Sequence, residues 1–295
     1  MKSNPNFPAP VLRDAAAQIF SPSFLWMVHR RAHGQVLRSL GLDRVLGPRL
    51  SVAALFEVLY SALERDYRAE YYFKNEIIRR VFEARHNPNR SAVLLEKHIG
   101  NWASRVDLIV VNDTTTAYEI KTDYDDLSRV RSQTDLALKV FDRVYVVCSD
   151  RRTESVREMV DDRVGVLGLR RDGTFRRERP AVPNAEFVDP VAVFDLLRQN
   201  EYLDALKRRF GPLPKLDPVE RYSYCSTRFS HLAPATAYGI LLNALRRRYV
   251  RADRDPLARL PYGLGHLYYK ATVKEREMLF VPELLRCTLD RAARY

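Results

Sequence analysis

The stretch VDLIVVNDTTTAYEIKT, residues 106–122, gathers the side chains in this sequence best suited to chemistry. With a turn at Asn112–Asp113–Thr114, its two arms pair as a β-hairpin: Val111 with Thr115, Ile109 with Ala117, and Asp107 with Glu119. Strand side chains return to one face every second residue, so Lys121 shares the face of Glu119. Two carboxylates and an ammonium then project from one patch of sheet. Like charges directly opposed across a hairpin are destabilising, and a divalent cation removes the conflict. Magnesium accepts one or two carboxylates together with water and phosphate oxygens. The backbone carbonyl of Ile120 is a natural further oxygen, and Lys121 stands ready to orient or deprotonate an attacking water. A Lewis acid, a positioned nucleophile and charge compensation are what metal-assisted phosphodiester hydrolysis requires.

The surrounding pattern must hold those groups in place. Residues 1 to about 50 read as short helices. From Ser51, a plausible N-cap, a helical periodicity without Gly or Pro runs to the residues before Pro88, too long for one globular helix, with a break expected near Asp66–Tyr67. At residue 91 the texture turns to short β-branched segments, SAVLLEKHI, SRVDLIVVN and TTAYEIKT. A helical stretch, DDLSRVRSQTDLALKVF, follows with Leu127, Val130, Thr134, Leu138 and Phe141 along one stripe. Then come the apolar strand RVYVVC, the helix TESVREMVDD and the strand VGVLGL. Strand, helix, strand, helix, strand is the pattern of parallel crossovers. Beyond residue 180 lie prolines, an amphipathic helix near 190–209 and a largely helical end. The expected division is a helical N-terminal region over 1–67, an α/β core over 68–180 and a mainly helical C-terminal region over 181–295.

Asp107 followed by Glu119-Ile120-Lys121 on a hairpin, then helix and buried strand, resembles the PD-(D/E)xK nuclease superfamily, over about residues 68–180. The proline that precedes the Asp in that family is replaced here by Val106. The resemblance implies an α/β fold with a mixed-sheet, restriction-endonuclease-like core (αβββαβ) carrying helical extensions at both ends. It also implies Mg²⁺ or Mn²⁺ held by Asp107, Glu119 and the Ile120 carbonyl, with Lys121 assisting the water. The family's first core helix often supplies an extra acid, a place taken by Glu76 in YYFKNEIIRR. The helix after the lysine often offers a polar residue, a place taken by Gln133; the RecB-like branch has a tyrosine four residues on, where this chain has Ala137.

Simpler roles stand beside these. Glu76 suits a helical ion pair with Arg79 or Arg80, and Gln133 with Arg129 suits a solvated helix face. Asp123, Asp125 and Asp126 suit turn and N-cap positions. His86 and His98 are not spaced for zinc, and Trp102 beside Asn101 suits packing in a turn. Arg79, Arg80 and Arg129, with clusters such as Arg30–Arg31, Arg151–Arg152 and Arg246–Arg248, are candidates for tracking phosphates.

Composition agrees with a nucleic-acid partner. The 295 residues carry 49 Lys and Arg against 37 Asp and Glu, a net charge of +12, with 46% apolar residues. Such a surface speeds encounter with polyanions. No apolar run is long enough for a membrane span, the first residues lack a secretory layout, and three scattered cysteines make no disulfide framework. A reduced, cytoplasmic protein is expected, acting as a Mg²⁺-dependent deoxyribonuclease, with a homodimer as one way to cut two strands. The alternative is a catalytically inactive protein of the same fold that binds nucleic acid or serves assembly. Nothing in the sequence separates DNA from RNA as substrate.

Overall fold

The computed structural model describes residues 9–21, 23–24, 27, 33–42, 46–84, 87, 90–100, 102–250, 260–270, 285–292 and 294. Contacts divide them into two units: one from the two ends of the chain, up to Ala84 and from Asp255, and one from Arg85–Arg254.

The first unit is helical: α1 (Ala9–Ile19), α2 (His33–Ser39), α3 (Val52–Asp66) and α4 (Glu70–Glu76), the last running on as a π-helical turn over Ile77–Glu83. Ser51 is the N-cap of α3, its hydroxyl accepting the Ala54 N–H at 3.1 Å. The long periodic stretch breaks at Tyr67, as its length requires. Leu55, Phe56, Leu59 and Leu63 recur at helical spacing and are buried. The chain end returns to this unit. Ser51 and Thr288 form a β-bridge, and the Leu289 N–H reaches the Leu50 carbonyl at 2.8 Å. The 261–262 backbone is held by Asn75 and Arg79, whose Nδ2 and Nε reach the Tyr262 carbonyl at 3.1 and 3.0 Å.

The second unit is a mixed α/β structure around one six-stranded sheet in the order β1 to β6. The strands are β1 (Ala92–Ile99), β2 (Ser104–Val111), β3 (Thr115–Lys121), β4 (Arg143–Ser149), β5 (Gly165–Leu169) and β6 (Phe175–Arg179). The first three form an antiparallel meander; β3, β4 and β5 are parallel; β6 closes the sheet antiparallel to β5. The parallel steps cross over through α5 (Val130–Leu138) and α6 (Thr153–Met159). In α5 the expected stripe is present, with Val130, Thr134 and Leu138 buried alongside Ala137. The helices α7 (Pro190–Phe194), α8 (Gln199–Phe210), α9 (Pro218–Ser230) and α10 (Pro234–Tyr249) complete the unit.

Three expectations are corrected. The single amphipathic helix near 190–209 is two helices, because the chain breaks after Phe194 and restarts where Glu201 Oε2 accepts the Arg198 N–H at 2.8 Å. The boundaries at 67/68 and 180/181 give way to 84/85 and 254/255. Residues 181–250 pack with the sheet: Asp142 Oδ1 accepts the N–H groups of Asn184 and Ala185, each at 2.9 Å, and the Tyr238 hydroxyl accepts the Thr115 N–H at 2.9 Å. The helix over 70–83, expected to open the α/β core, is counted with the helical unit. A sixth strand, FRRER, was not foreseen, since its charges hide it. It is an edge strand whose Arg176 pairs with Asp150 at 2.6 Å and Arg179 with Asp162 at 2.9 Å.

Two glycines of this unit test the packing. A Cβ on Gly165 in β5 would collide with the Tyr145 ring and the Ala181 nitrogen, whereas one on Gly239 in α10 meets open space. Urea unfolding is expected to show Gly165→Ala less stable by roughly 1–3 kcal/mol. Gly239→Ala is expected to be more stable by about 0.5–1 kcal/mol, the helical preference of Ala over Gly. Equal effects at the two positions would contradict the tight β4–β5 packing.

Candidate active site

The hairpin register places the site. Val111 pairs with Thr115, Val110 with Thr116, Ile109 with Ala117 and Leu108 with Tyr118. At the next rung the ladder gives way to a side-chain bond, in which Asp107 Oδ2 accepts the Ile120 N–H at 2.8 Å. The other neighbour of β2 is also irregular there. Pairing with β1 runs through Leu95↔Leu108 and resumes at Lys97↔Val106, skipping Glu96, whose φ is +52°. Asp107 thus occupies the rung at which both adjoining ladders depart from regular pairing. A non-glycine residue in the left-handed region within a strand is uncommon and costs backbone energy. Glu96 was not singled out from the sequence; its one signal is an acid inside the apolar run AVLLEKHI.

Ile109, Val111 and Ala117 share one core with Val130, Ala137 and Leu138 of α5. By strand alternation Asp107, Glu119 and Lys121 lie on that same face. Lys121 is the junction: its Nζ donates to Glu119 Oε1 at 2.9 Å and to Gln133 Oε1, from α5, at 2.7 Å. Every residue of β3 is buried. Relative exposure is 7% for Asp107, 6% for Glu119 and 7% for Lys121. Removing such charges from water costs several kcal/mol each unless partners replace the solvent. These three side chains by themselves sum to one formal negative charge.

The next strand narrows the chemistry. Cys148 pairs in register with Lys121, and burial pushes its thiol up to about 12. The thiol therefore stays protonated at neutral pH while no metal is bound. The carboxylates of Asp107 and Glu119 are oxygen donors, the kind that suits a hard divalent cation. Among the described residues, no three His, Cys, Asp or Glu side chains gather into a group that would hold a metal.

Other expected site residues have partners of their own. Glu76 belongs to the helical unit, where it is 1% exposed. Its Oε1 accepts the Tyr60 hydroxyl at 2.5 Å, and its Oε2 accepts Arg80 Nε at 2.5 Å and the Tyr262 hydroxyl at 3.2 Å. Burial, followed by the charge of Glu76, raises the Tyr60 hydroxyl well above the usual tyrosine range, so Tyr60 stays a donor. Glu76, expected as a third metal-binding acid, gives both its oxygens to this hydrogen-bonded cluster, including the helical ion pair with Arg80. The phosphate-tracking expectation for Arg79 is corrected. Its side chain is 6% exposed and is spent on Glu83 at 3.1 Å and on the carbonyls of Pro261 and Tyr262, so it does not face a nucleic acid. Arg80 is 40% exposed with its Nε on Glu76. Arg129 is exposed at the N-cap position of α5.

The acids after Lys121 are turn formers. Asp125 Oδ2 accepts the Thr122 N–H at 2.7 Å, Asp126 Oδ1 accepts the Ser128 N–H at 3.0 Å, and Asp123 pairs with Arg151 at 2.8 Å. None is the N-cap of α5. Trp102 is 77% exposed and lies against His98 in a tilted arrangement with ring centroids 4.1 Å apart, so it does not pack into the core. Arg30, Arg31, His86 and Asn101 lie outside the described residues. Among those described, no helix is long and apolar enough to cross a membrane.

Comparison with known proteins adds a family. The family described as bacteriophage P4 protein cII matches residues 63–262, a stretch that includes Asp107, Glu119, Lys121 and Gln133. A relative, Protein cII of Enterobacteria phage P4, is 34% identical over 77 residues, which is 26% of this chain and 29% of that protein. No solved structure matches.

The pair at the junction has a thermodynamic signature. Lys121→Met strands the Glu119 carboxylate near Asp107 and is expected to cost about 3–5 kcal/mol, the usual penalty for breaking a buried ion pair from one side. Glu119→Leu/Lys121→Met removes both charges and is expected to recover most of that loss in urea unfolding with EDTA present. Additive losses in the double variant would contradict a direct pair.

Proposed function

This chain belongs to the bacteriophage P4 protein cII family, and from the geometry on β2 and β3 we propose that it is a metal-dependent nuclease hydrolysing phosphodiester bonds in DNA. The observation that carries the proposal is Lys121, held between Glu119 and Gln133 on the buried face shared with Asp107. An ammonium and two carboxylates kept together in the interior are costly to a fold that makes no use of them. The order of elements supports the same reading. An antiparallel hairpin bearing the acids, then a parallel crossover whose helix supplies Gln133, is the arrangement expected of a PD-(D/E)xK core.

The donor set suits a hard cation: carboxylate and carbonyl oxygens from two adjoining strands. Asp107, Glu119 and the Ile120 carbonyl would hold Mg²⁺ or Mn²⁺, which when bound supplies Lewis acidity and a more acidic water. The remaining work falls to the chain. The Ile120 N–H fixes the Asp107 carboxylate, and Gln133 fixes the Lys121 ammonium. Lys121, a donor of three hydrogen bonds, spends two on Glu119 and Gln133 and has a third for an attacking water or a phosphate oxygen that gains charge. Exposed arginines would take the flanking phosphates, giving affinity that falls with salt and carries little sequence information.

One observation favours a second reading, a non-catalytic nucleic-acid-binding or assembly module of the same fold. The Lys121–Glu119 pair, at 2.9 Å, lets the two charges neutralise one another within the sheet. Incubation of the purified protein with supercoiled, linear, single-stranded and branched DNA, and with RNA, separates the two. Cleavage of DNA with Mg²⁺ or Mn²⁺, its absence in EDTA, and a loss of at least about 100-fold in Lys121→Ala are expected. Calorimetric Mn²⁺ binding is expected to disappear in Glu119→Ala. Wild-type protein that binds DNA but neither cleaves it nor binds Mn²⁺ would establish the second reading.

A further inference from the structure

A cleft of about 570 Å³ opens between α8 and α10, away from the acids of β2 and β3 in sequence but within the same unit. The two helices run antiparallel, since Arg248 in the last turn of α10 bonds Glu201 in the first turn of α8. That pair neutralises itself. What remains on the cleft wall is Arg198, Arg208, Arg209 and Arg247 against the single carboxylate of Asp204. All four arginines are exposed, and Arg208, Arg209 and Arg247 take part in no ion pair among the described residues. Like charges gathered on one concave wall repel one another and raise the local potential for anions.

The spacing identifies the anion. Arg208 and Arg209 lie near the C-terminal end of α8 and Arg198 just before its start, about 15 Å away at a helical rise of 1.5 Å per residue. One phosphate cannot bridge that distance; several consecutive phosphates of a strand can. No aromatic ring lines the cleft, so a base finds no stacking platform there.

We propose that the α8–α10 cleft is a track for the sugar–phosphate backbone of a nucleic-acid strand. It deepens the nuclease reading by naming where substrate is held, yet binding there requires no catalysis. The test is fluorescence anisotropy of a labelled single-stranded oligonucleotide in EDTA across a series of NaCl concentrations. In Arg198→Gln/Arg208→Gln/Arg209→Gln/Arg247→Gln, the slope of log affinity against log salt is expected to fall by about 3, at about 0.7 per lost phosphate contact. A control that replaces the exposed Arg38, Arg157, Arg177 and Arg291 by Gln removes the same net charge and is expected to keep the slope. Lys at the four cleft positions is expected to keep it as well. An unchanged slope in the cleft variant, or equal losses in cleft and control variants, would overturn the track. So would displacement of the oligonucleotide by inorganic phosphate at matched ionic strength, which would mark a single-anion site. Lys121→Ala measured in parallel keeps the two ideas apart: lost cleavage with intact binding in Lys121→Ala leaves the track standing, and lost binding in the cleft variant with cleavage intact at saturating DNA leaves the nuclease standing.

Discussion

The constraint on which the rest depends is the burial of Asp107, Glu119 and Lys121 in the middle of a sheet. β3 lies between β2 and β4 with every residue covered, so its charged residues cannot turn to solvent by a change of rotamer. Each must find a partner inside. Lys121 finds two, Glu119 and Gln133, while Asp107 takes a backbone N–H from the adjoining strand. These bonds fix more than the charges. They set the position of α5 relative to β3, and they replace the regular ladder between β2 and β3 at its open end. The irregularity continues into β1, where Glu96 takes a left-handed backbone at the same rung. Three strands thus give up regular pairing along one line through Asp107.

That line explains why the hairpin was legible in the sequence. Alternation and a turn at Asn112 fix a register, and a register of period two assigns faces without further information. The apolar strands β4 and β5 and the stripe on α5 are legible for the same local reason. The failures are equally physical. FRRER reads as a charged loop, because an edge strand needs little apolar content and its arginines are held by Asp150 and Asp162 from outside the strand. The two-unit division is invisible locally, since it rests on contacts of residues 261–262 and 288–289 with the first helices.

Glu76 and Arg79 show a different limit. Their spacing on a helix is compatible with a site, and a family pattern puts an acid at that place. What decides their role is the set of donors and acceptors around them, drawn from Tyr60 and from residues 261 and 262, far apart in sequence. Glu76 is a fully buried carboxylate with three donors on its two oxygens, all from the helical unit. Lys121 draws its two partners, Glu119 and Gln133, from its own strand and from α5.

The arginines can be sorted by that reasoning. A guanidinium whose donors end on carbonyls and carboxylates of its own unit, as in Arg79 or Arg179, has already exchanged water for protein and gains little from a phosphate. One that stands exposed among other cations, as Arg208 does, keeps both its hydration and its repulsion, and an incoming polyanion relieves the second while releasing counterions. The net charge of +12 is therefore a poor guide to where nucleic acid would sit. The difference lies in how each cation is already spent. By that measure the α8–α10 wall, more than the helix bearing Arg79 and Arg80, is where the excess of positive charge is available to a partner.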